Sequence, residues 1–173
     1  MTREELFRKA ISENRGRIFR ICNYYFEDAS DRDDAFQEAM IRIWQSLPKF
    51  RGDALMSTWI YRISVNTCLA FIRSEKRRKD PMAVDPALHA EGTFVDQGQE
   101  TDDLQGKKLE FFRKFMSGLS AIDRSLVTLY LEEVGTREIS AVTGLSEANV
   151  RVRIHRLKEQ VKKDWEEMRY GTR

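Results

Sequence analysis

Apolar residues recur every three to four positions along most of this chain, the period of an amphipathic helix. Phe7, Ile11, Ile18, Ile21 and Tyr25 form the first such stripe, and Thr2 and Glu5 stand before it at capping-box spacing. A long first helix is expected, ending near Glu27 and Asp28. Ser30 is placed to cap a second, with acids at 31, 33 and 34 suited to its positive N-terminal end. Phe36, Met40, Ile43 and Leu47 are its inward stripe, and Pro48 stops it. Lys49 to Met56 reads as a loop bent at Gly52. Ser57 then opens a third helix predicted to run to about Lys79, with Ile60, Ile63, Thr67 and Phe71 facing the core.

The pattern lapses over 80–103 and resumes at Leu104 with Leu109, Phe112, Met116 and Leu119. Ser120 and Asp123 have N-cap and N3 spacing, and Ile122, Leu126, Leu129 and Tyr130 carry the next helix to Gly135. Thr136 is expected to cap a short helix with Ile139 and Val142 inside. Gly144 ends that helix, because glycine alone enters the left-handed conformation without steric cost. Ser146 caps the next, which turns Val150, Ile154 and Leu157 inward and runs to about Trp165. Two helices joined by so tight a glycine turn are a helix-turn-helix. The predicted fold is all-α: a helical domain over 1–79, a flexible acidic linker over 80–103, and a second helical domain over 104–173 that contains the helix-turn-helix.

Charge sharpens this division. The formal net charge of +2 hides 16 lysines and arginines against 11 acids in residues 1–79, none against 7 in 80–103, and 14 against 10 in 104–173. Two basic lobes flank an acidic strap that holds two of the three prolines and little apolar material to anchor it. Fully extended, the strap could reach on the order of 80 Å, enough for the lobes to touch duplex sites two helical turns, roughly 70 Å, apart. Cys22 and Cys68 lack metal-ligand spacing and read as small core fillers. No apolar run is long enough to cross a bilayer, and Thr2 to Glu5 occupies the place of a signal peptide's apolar core, so a cytoplasmic protein is expected.

Three surfaces carry candidate chemistry. On the last helix Arg151, Val152, His155 and Arg156 share a face beside the core stripe, a shape suited to the major groove. On the third, Trp59, Arg62, Asn66, Arg73 and Arg77, extended by Lys76, interleave an aromatic and an amide with cations. That combination suits an unpaired strand, whose bases stack while cations track phosphate; the rival reading makes Trp59 a core aromatic and the cations a solvated helix end. On the second, Asp34, Gln37, Glu38 and Ile41 form an acidic and amide face with Arg42 and Trp44 nearby. Composition leaves that face open between solvent and a partner's basic surface. Metal-dependent nuclease chemistry on Asp33, Asp34 and Glu38 is disfavoured, since His89 and His155 both lie outside this lobe. Residues 104–173 offer no nucleophile paired with a base. No catalytic residue, cofactor or metal is expected.

Taken together, three stretches resemble the extracytoplasmic-function sigma factors, the small two-domain initiation subunits of bacterial RNA polymerase. They are Asp34-Ala-Phe-Gln-Glu-Ala-Met-Ile-Arg-Ile-Trp44, Phe50-Arg-Gly-Asp-Ala-Leu-Met-Ser-Thr-Trp-Ile-Tyr-Arg-Ile-Ser-Val-Asn66, and Gly144-Leu-Ser-Glu-Ala-Asn-Val-Arg-Val-Arg-Ile154. The resemblance implies that Asp34, Gln37, Glu38, Met40, Ile41 and Trp44 dock on the clamp helices of core polymerase, whose flap is a second contact. It implies that Phe50, Arg51, Gly52, Asp53, Ala54 and Leu55 capture a flipped base of the −10 element, and that Trp59, Arg62, Asn66, Arg73, Lys76 and Arg77 handle the melting strand. Ser146, Glu147, Asn149, Arg151, Val152, His155 and Arg156 would lie on the −35 element, with Arg153 and Lys158 on its phosphates. The implied partners are core polymerase, promoter DNA and an anti-sigma factor, with no small-molecule substrate and no membrane insertion. Two positions depart from the family. Ala70 stands where relatives often have an acid between the counterparts of Asn66 and Arg73. Val152 replaces a small polar residue and is suited to a thymine methyl group. The alternative is a stand-alone helix-turn-helix regulator with a helical sensor domain.

Overall fold

The computed structural model describes residues 2–79 and 104–171, the side chains of Lys76, Arg77 and Lys79 excepted. The acidic strap expected over 80–103 lies outside the described residues, as do the side chains of Lys76 and Arg77 named for the melting strand. Every regular element described is a helix.

The first lobe is a three-helix bundle. Its first helix, α1 (Arg3–Tyr25), starts at the expected capping box: the Glu5 amide donates to Thr2 Oγ1 at 3.2 Å and the Thr2 amide to Glu5 Oε2 at 2.7 Å. It stops at Tyr25, a little before the expected end, since Asp28 is already engaged in starting the next helix. In α2 (Ala29–Ser46) the cap is Asp28 and not Ser30: Asp28 Oδ1 accepts from the amides of Ser30 and Asp31 at 2.8 and 3.1 Å. A carboxylate meets the positive helix end better than a hydroxyl two residues later. Ala35, Ala39 and Ile43 are the fully buried line of α2, while Phe36 and Met40 are half-buried at its edge. The helix is thus rolled toward its alanines relative to the expected stripe, and small side chains let it lie close to its neighbours.

A 3-10 turn at Leu47–Lys49 leads into the loop, and α3 (Met56–Lys79) begins one residue before Ser57. Ile60, Tyr61, Val65 and Cys68 are buried along it. Buried Ser64 and Thr67 donate to the carbonyls of Ile60 and Ile63, so their hydroxyls bring no unmet polar demand into the core. Cys22 and Cys68 are the core fillers expected, free thiols with sulfurs 3.9 Å apart. The Cys22 contact, with burial, holds the Cys68 thiol well above the ordinary cysteine range.

The second lobe comprises α4 (Leu104–Gly118), α5 (Ala121–Leu131), α6 (Thr136–Thr143) and α7 (Glu147–Tyr170). Ser120 caps α5 as expected, accepting the Asp123 amide at 3.2 Å. At α6 the cap is Gly135, making Thr136 the first helical residue instead. Leu109 and Tyr130, expected inside, are exposed; the Tyr130 hydroxyl instead meets Lys158 Nζ at 3.4 Å. Arg124 is buried and donates to the carbonyls of Met116 and Ser117, both at 2.9 Å, closing the end of α4. Its burial lowers the guanidinium's proton affinity. The last helix runs five residues past Trp165, whose ring meets Phe111 edge-on at 5.2 Å.

The lobes pack on each other. Helix α1 meets α4 and α5, and α3 meets α5 and α6. Buried apolar residues of both lobes form one cluster, from Ile18 and Tyr25 to Leu126 and Val142.

Candidate polymerase and nucleic-acid interfaces

On α2 the side of the helix turned away from Ala35, Ala39 and Ile43 presents Asp34, Gln37 and Ile41 to solvent. Ile41 is 48% exposed, an unshielded aliphatic group within a polar face. Glu38 is half-buried and paired with Arg42, Nε to Oε1 2.6 Å. Trp44 has a structural neighbour on each side: its ring meets Phe7 edge-on at 5.2 Å, and the Arg3 guanidinium sits 4.0 Å from its centroid. Trp44 and half-buried Met40 therefore form the packed edge of the face, and Asp34, Gln37 and Ile41 its open centre. A shallow groove of about 390 Å³ runs beside it, walled on the other side by Thr67, Ala70, Phe71 and Ser74. Ala70 thus borders the α2 face. Among the described residues no cluster of histidines, cysteines and acids is arranged to hold a metal ion.

The loop from Phe50 to Leu55 projects from the end of this lobe. Phe50 is anchored against Trp59, ring centroids 5.3 Å apart; both are half-buried, and Trp59 also packs against the core. Beyond that anchor Arg51, Gly52, Asp53, Ala54 and Leu55 are exposed, Leu55 by 64%. Gly52 has φ of +79°, a conformation that bends the loop and favours glycine. Along α3, Arg62, Asn66 and Arg73 are exposed on the expected stripe. Asn66 and Arg73 also line a cleft of about 230 Å³ whose far wall includes Ile122, Val142 and Thr143 of the second lobe.

The helix-turn-helix is closed by side chains as well as backbone. Gly144 has φ of +77°, the Ser140 hydroxyl donates to the Leu145 carbonyl at 2.6 Å, and Ser146 Oγ accepts the Asn149 amide at 3.3 Å. Val150 and Leu157 fix α7 to the core. That leaves Glu147, Asn149, Arg151, Val152, His155, Arg156 and Lys158 exposed, with Val152 open by 57%. Arg151 is steadied by Glu147 at 3.6 Å, one turn earlier. Arg153 is half-buried and turned toward Asp123 of α5, also at 3.6 Å, so it stands at the margin of the open face.

Two features escaped the sequence reading. One is an apolar groove of about 830 Å³ between α4 and the end of α7, lined by Leu104, Phe111, Phe115, Trp165 and Met168 among others. The signal was present, in a helical period running past Trp165 to Met168. The other is an ion pair between lobes: Arg20 of α1 grips Glu132 at the end of α5 through two nitrogens, at 2.8 and 2.7 Å. That hydrogen bonding raises the Arg20 pKa further above its already high value, and burial with the nearby Glu132 raises that of Tyr24. Only the lone Glu132-Glu133 after an apolar run hinted at it.

Both lobes match models of one class, the sigma-70 factors: Sigma-70 region 2 over residues 10–78 and Sigma-70, region 4 over residues 112–161. Among curated proteins, the ECF RNA polymerase sigma-E factor of Escherichia coli strain K12 is 29% identical over 140 residues, 77% of this chain and 73% of that one. The sigma-E factor of Haemophilus influenzae is 25% identical over 165 residues, 91% and 86% of the respective chains. Among solved structures, CnrH in complex with the cytosolic domain of CnrY has a TM-score of 0.67 at 16% identity, covering 94% of this chain and 89% of that one. The sigma factor RpoE in complex with the anti-sigma factor NepR from Bartonella quintana also reaches 0.67 at 16%, covering 91% and 94%. This chain belongs to the extracytoplasmic-function sigma factors, transcription initiation factors that bind RNA polymerase. No described helix is long and apolar enough to cross a membrane.

Proposed function

We propose that the chain works in the cytoplasm by binding alone, docking on core polymerase through α2 while its loop, α3 and α7 hold separate parts of a promoter. The division into a polymerase- and −10-binding unit over 1–79, an acidic strap over 80–103 and a −35-binding unit over 104–173 is part of this reading. The observation that carries it is the arrangement on the first lobe: an open face centred on Asp34, Gln37 and Ile41 shares one bundle with the projecting Phe50–Leu55 loop. One partner can grip the former while a nucleotide enters the latter. The apolar groove between α4 and the end of α7 is the surface left for the flap.

Extruding a base from the duplex costs a few kcal/mol, so trapping requires the loop and the α3 stripe to favour the open strand over the duplex. Leu55 and the Trp59–Phe50 pair supply apolar and ring surface; Arg51, Arg62 and Arg73 supply charge. At the −35 element, Arg151 and Arg156 flank Val152, whose open methyl groups suit a thymine methyl. Core-polymerase pull-down tests the docking face: Ile41→Asp places a charge at its apolar centre and should reduce capture about tenfold or more, by loss of roughly 1.5 kcal/mol or more of apolar contact. Undiminished capture would move the docking site off α2.

A further inference from the structure

Cys22 of α1 and Cys68 of α3 are fully buried and meet across the core of the first lobe, their sulfurs 3.9 Å apart. Either would fill its place alone, but two thiols at that distance can also react with each other. A disulfide holds its sulfurs about 2.05 Å apart, so closing this gap takes an approach of roughly 1.9 Å, shared between two rotatable side chains. The helices that carry them already pack directly together. One turn further on, the seam is covered by Phe26 and Phe71, half-buried rings that meet edge-on at 5.2 Å. That cover keeps out bulky thiols and disulfides. Hydrogen peroxide, small and uncharged, is the oxidant suited to pass it when the helices breathe.

The contact assigns the two sulfurs different parts. Cys68 donates its S–H to Cys22 and holds that proton well above the ordinary cysteine range, so Cys22 is the sulfur that attacks. It bonds to one peroxide oxygen and the O–O bond breaks. The displaced hydroxide leaves as water with the Cys22 proton, and a sulfenic acid remains. Cys68 then attacks the Cys22 sulfur, the S–O bond breaks, and a second water carries off the hydroxyl with the Cys68 proton. The peroxide gains the two electrons that the thiols lose. Because the resolving thiol is already in contact, oxidation stops at the disulfide instead of running on to the sulfinic acid.

What the bond would enclose gives it a purpose. The 46 positions that separate Cys22 from Cys68 hold all of α2, with its open face, and the Phe50–Leu55 loop. Joining the two ends of that stretch restricts the unfolded chain and leaves the folded bundle favoured. We propose that Cys22 and Cys68 are an oxidisable staple, which peroxide closes into a disulfide to preserve the polymerase-docking lobe under oxidative stress. This rests on the reading given above, of a cytoplasmic chain that docks through α2. Thiols in that compartment are ordinarily kept reduced, so the staple closes under oxidant and is undone afterwards.

The test treats the full-length chain with hydrogen peroxide, then blocks remaining thiols with iodoacetamide in denaturant. Intact mass and tryptic peptides should show one disulfide, joining Cys22 to Cys68 within a single chain, and no alkylated cysteine. Urea unfolding followed by circular dichroism should then move its midpoint up by about 1 M or more, the scale of a closed loop of this length. Dithiothreitol should return the midpoint to its starting value. Cys22→Ser should give neither bond nor shift; if that variant does not fold, the dithiothreitol reversal on wild type carries the comparison. Capture of core polymerase, measured in parallel, should be equal for the reduced and oxidised chain. Thiols left intact, oxidised past the sulfenic stage or joined between chains overturn the site. A disulfide without a raised midpoint, or with capture lost, overturns the protective role. Failure of the reduced chain to capture core enzyme refutes the functional reading instead, whereas mass and midpoint still report on the bond.

Discussion

Glu133 sits in the turn after α5 with φ of +57°, the one non-glycine residue in the left-handed region among those described. A side chain there crowds its own backbone by about 1 kcal/mol. Glu133→Gly should therefore raise stability by roughly 0.5–1 kcal/mol in urea unfolding, after allowing for the freer unfolded chain; a loss would mean that the glutamate makes a compensating contact. Ser120 works in the other direction, since its hydroxyl accepts the Asp123 amide and donates to the Asp123 carboxylate at 2.7 Å. Ser120→Ala should cost about 1 kcal/mol by the same measurement. Caps of this kind were legible where one residue type had no nearby competitor, as at Thr2, Ser120, Gly144 and Ser146. They were misplaced at Ser30 and Thr136, where Asp28 and Gly135 stood close by and local rules rank such neighbours only weakly.

At the scale of the element, periodicity located the seven α-helices found among the described residues but not the roll of each. Helix α2 turns Ala35 and Ala39 inward because close approach of neighbouring helices favours small side chains, a requirement of the neighbours that the helix alone does not reveal. Helix α7 outran its expected end because Phe111, more than fifty positions earlier, gives Trp165 something to pack on. Its N-terminal half was easier to read: Val150 and Leu157 are inside, and the side chains between them emerge on the opposite side. There Arg156→Ala should cost about 1–3 kcal/mol of promoter binding and relax sequence preference at one position. Binding assays on a panel of single-base variants check this, and equal weakening on every sequence would make Arg156 a phosphate contact. The Arg153–Asp123 pair was not legible, because nothing local says that α5 passes beneath that side of α7.

At the scale of the molecule, the sequence established two basic lobes and left their mutual packing unread. Arg20 and Glu132 lie 112 positions apart, and a buried stripe declares that it is covered without saying by what. Tyr25 belongs to the first lobe's stripe, yet its hydroxyl meets Ser125 of the second. Burial pushes that hydroxyl far above the ordinary tyrosine range near 10. With the folded value above the unfolded one, Tyr25's contribution is complete below about pH 10 and drains away as pH rises through the folded value. Alkaline denaturation should accordingly be less steep in Tyr25→Phe than in wild type; equal slopes would mean that the hydroxyl reaches water.

The most direct measurement is run-off transcription by core polymerase on a library of bacterial DNA fragments, with and without stoichiometric chain. The account predicts new transcripts that depend on the chain, start downstream of a shared pair of elements, and fade with Ile41→Asp or Arg156→Ala. The same transcripts with and without the chain, together with no association between chain and core enzyme, would contradict it.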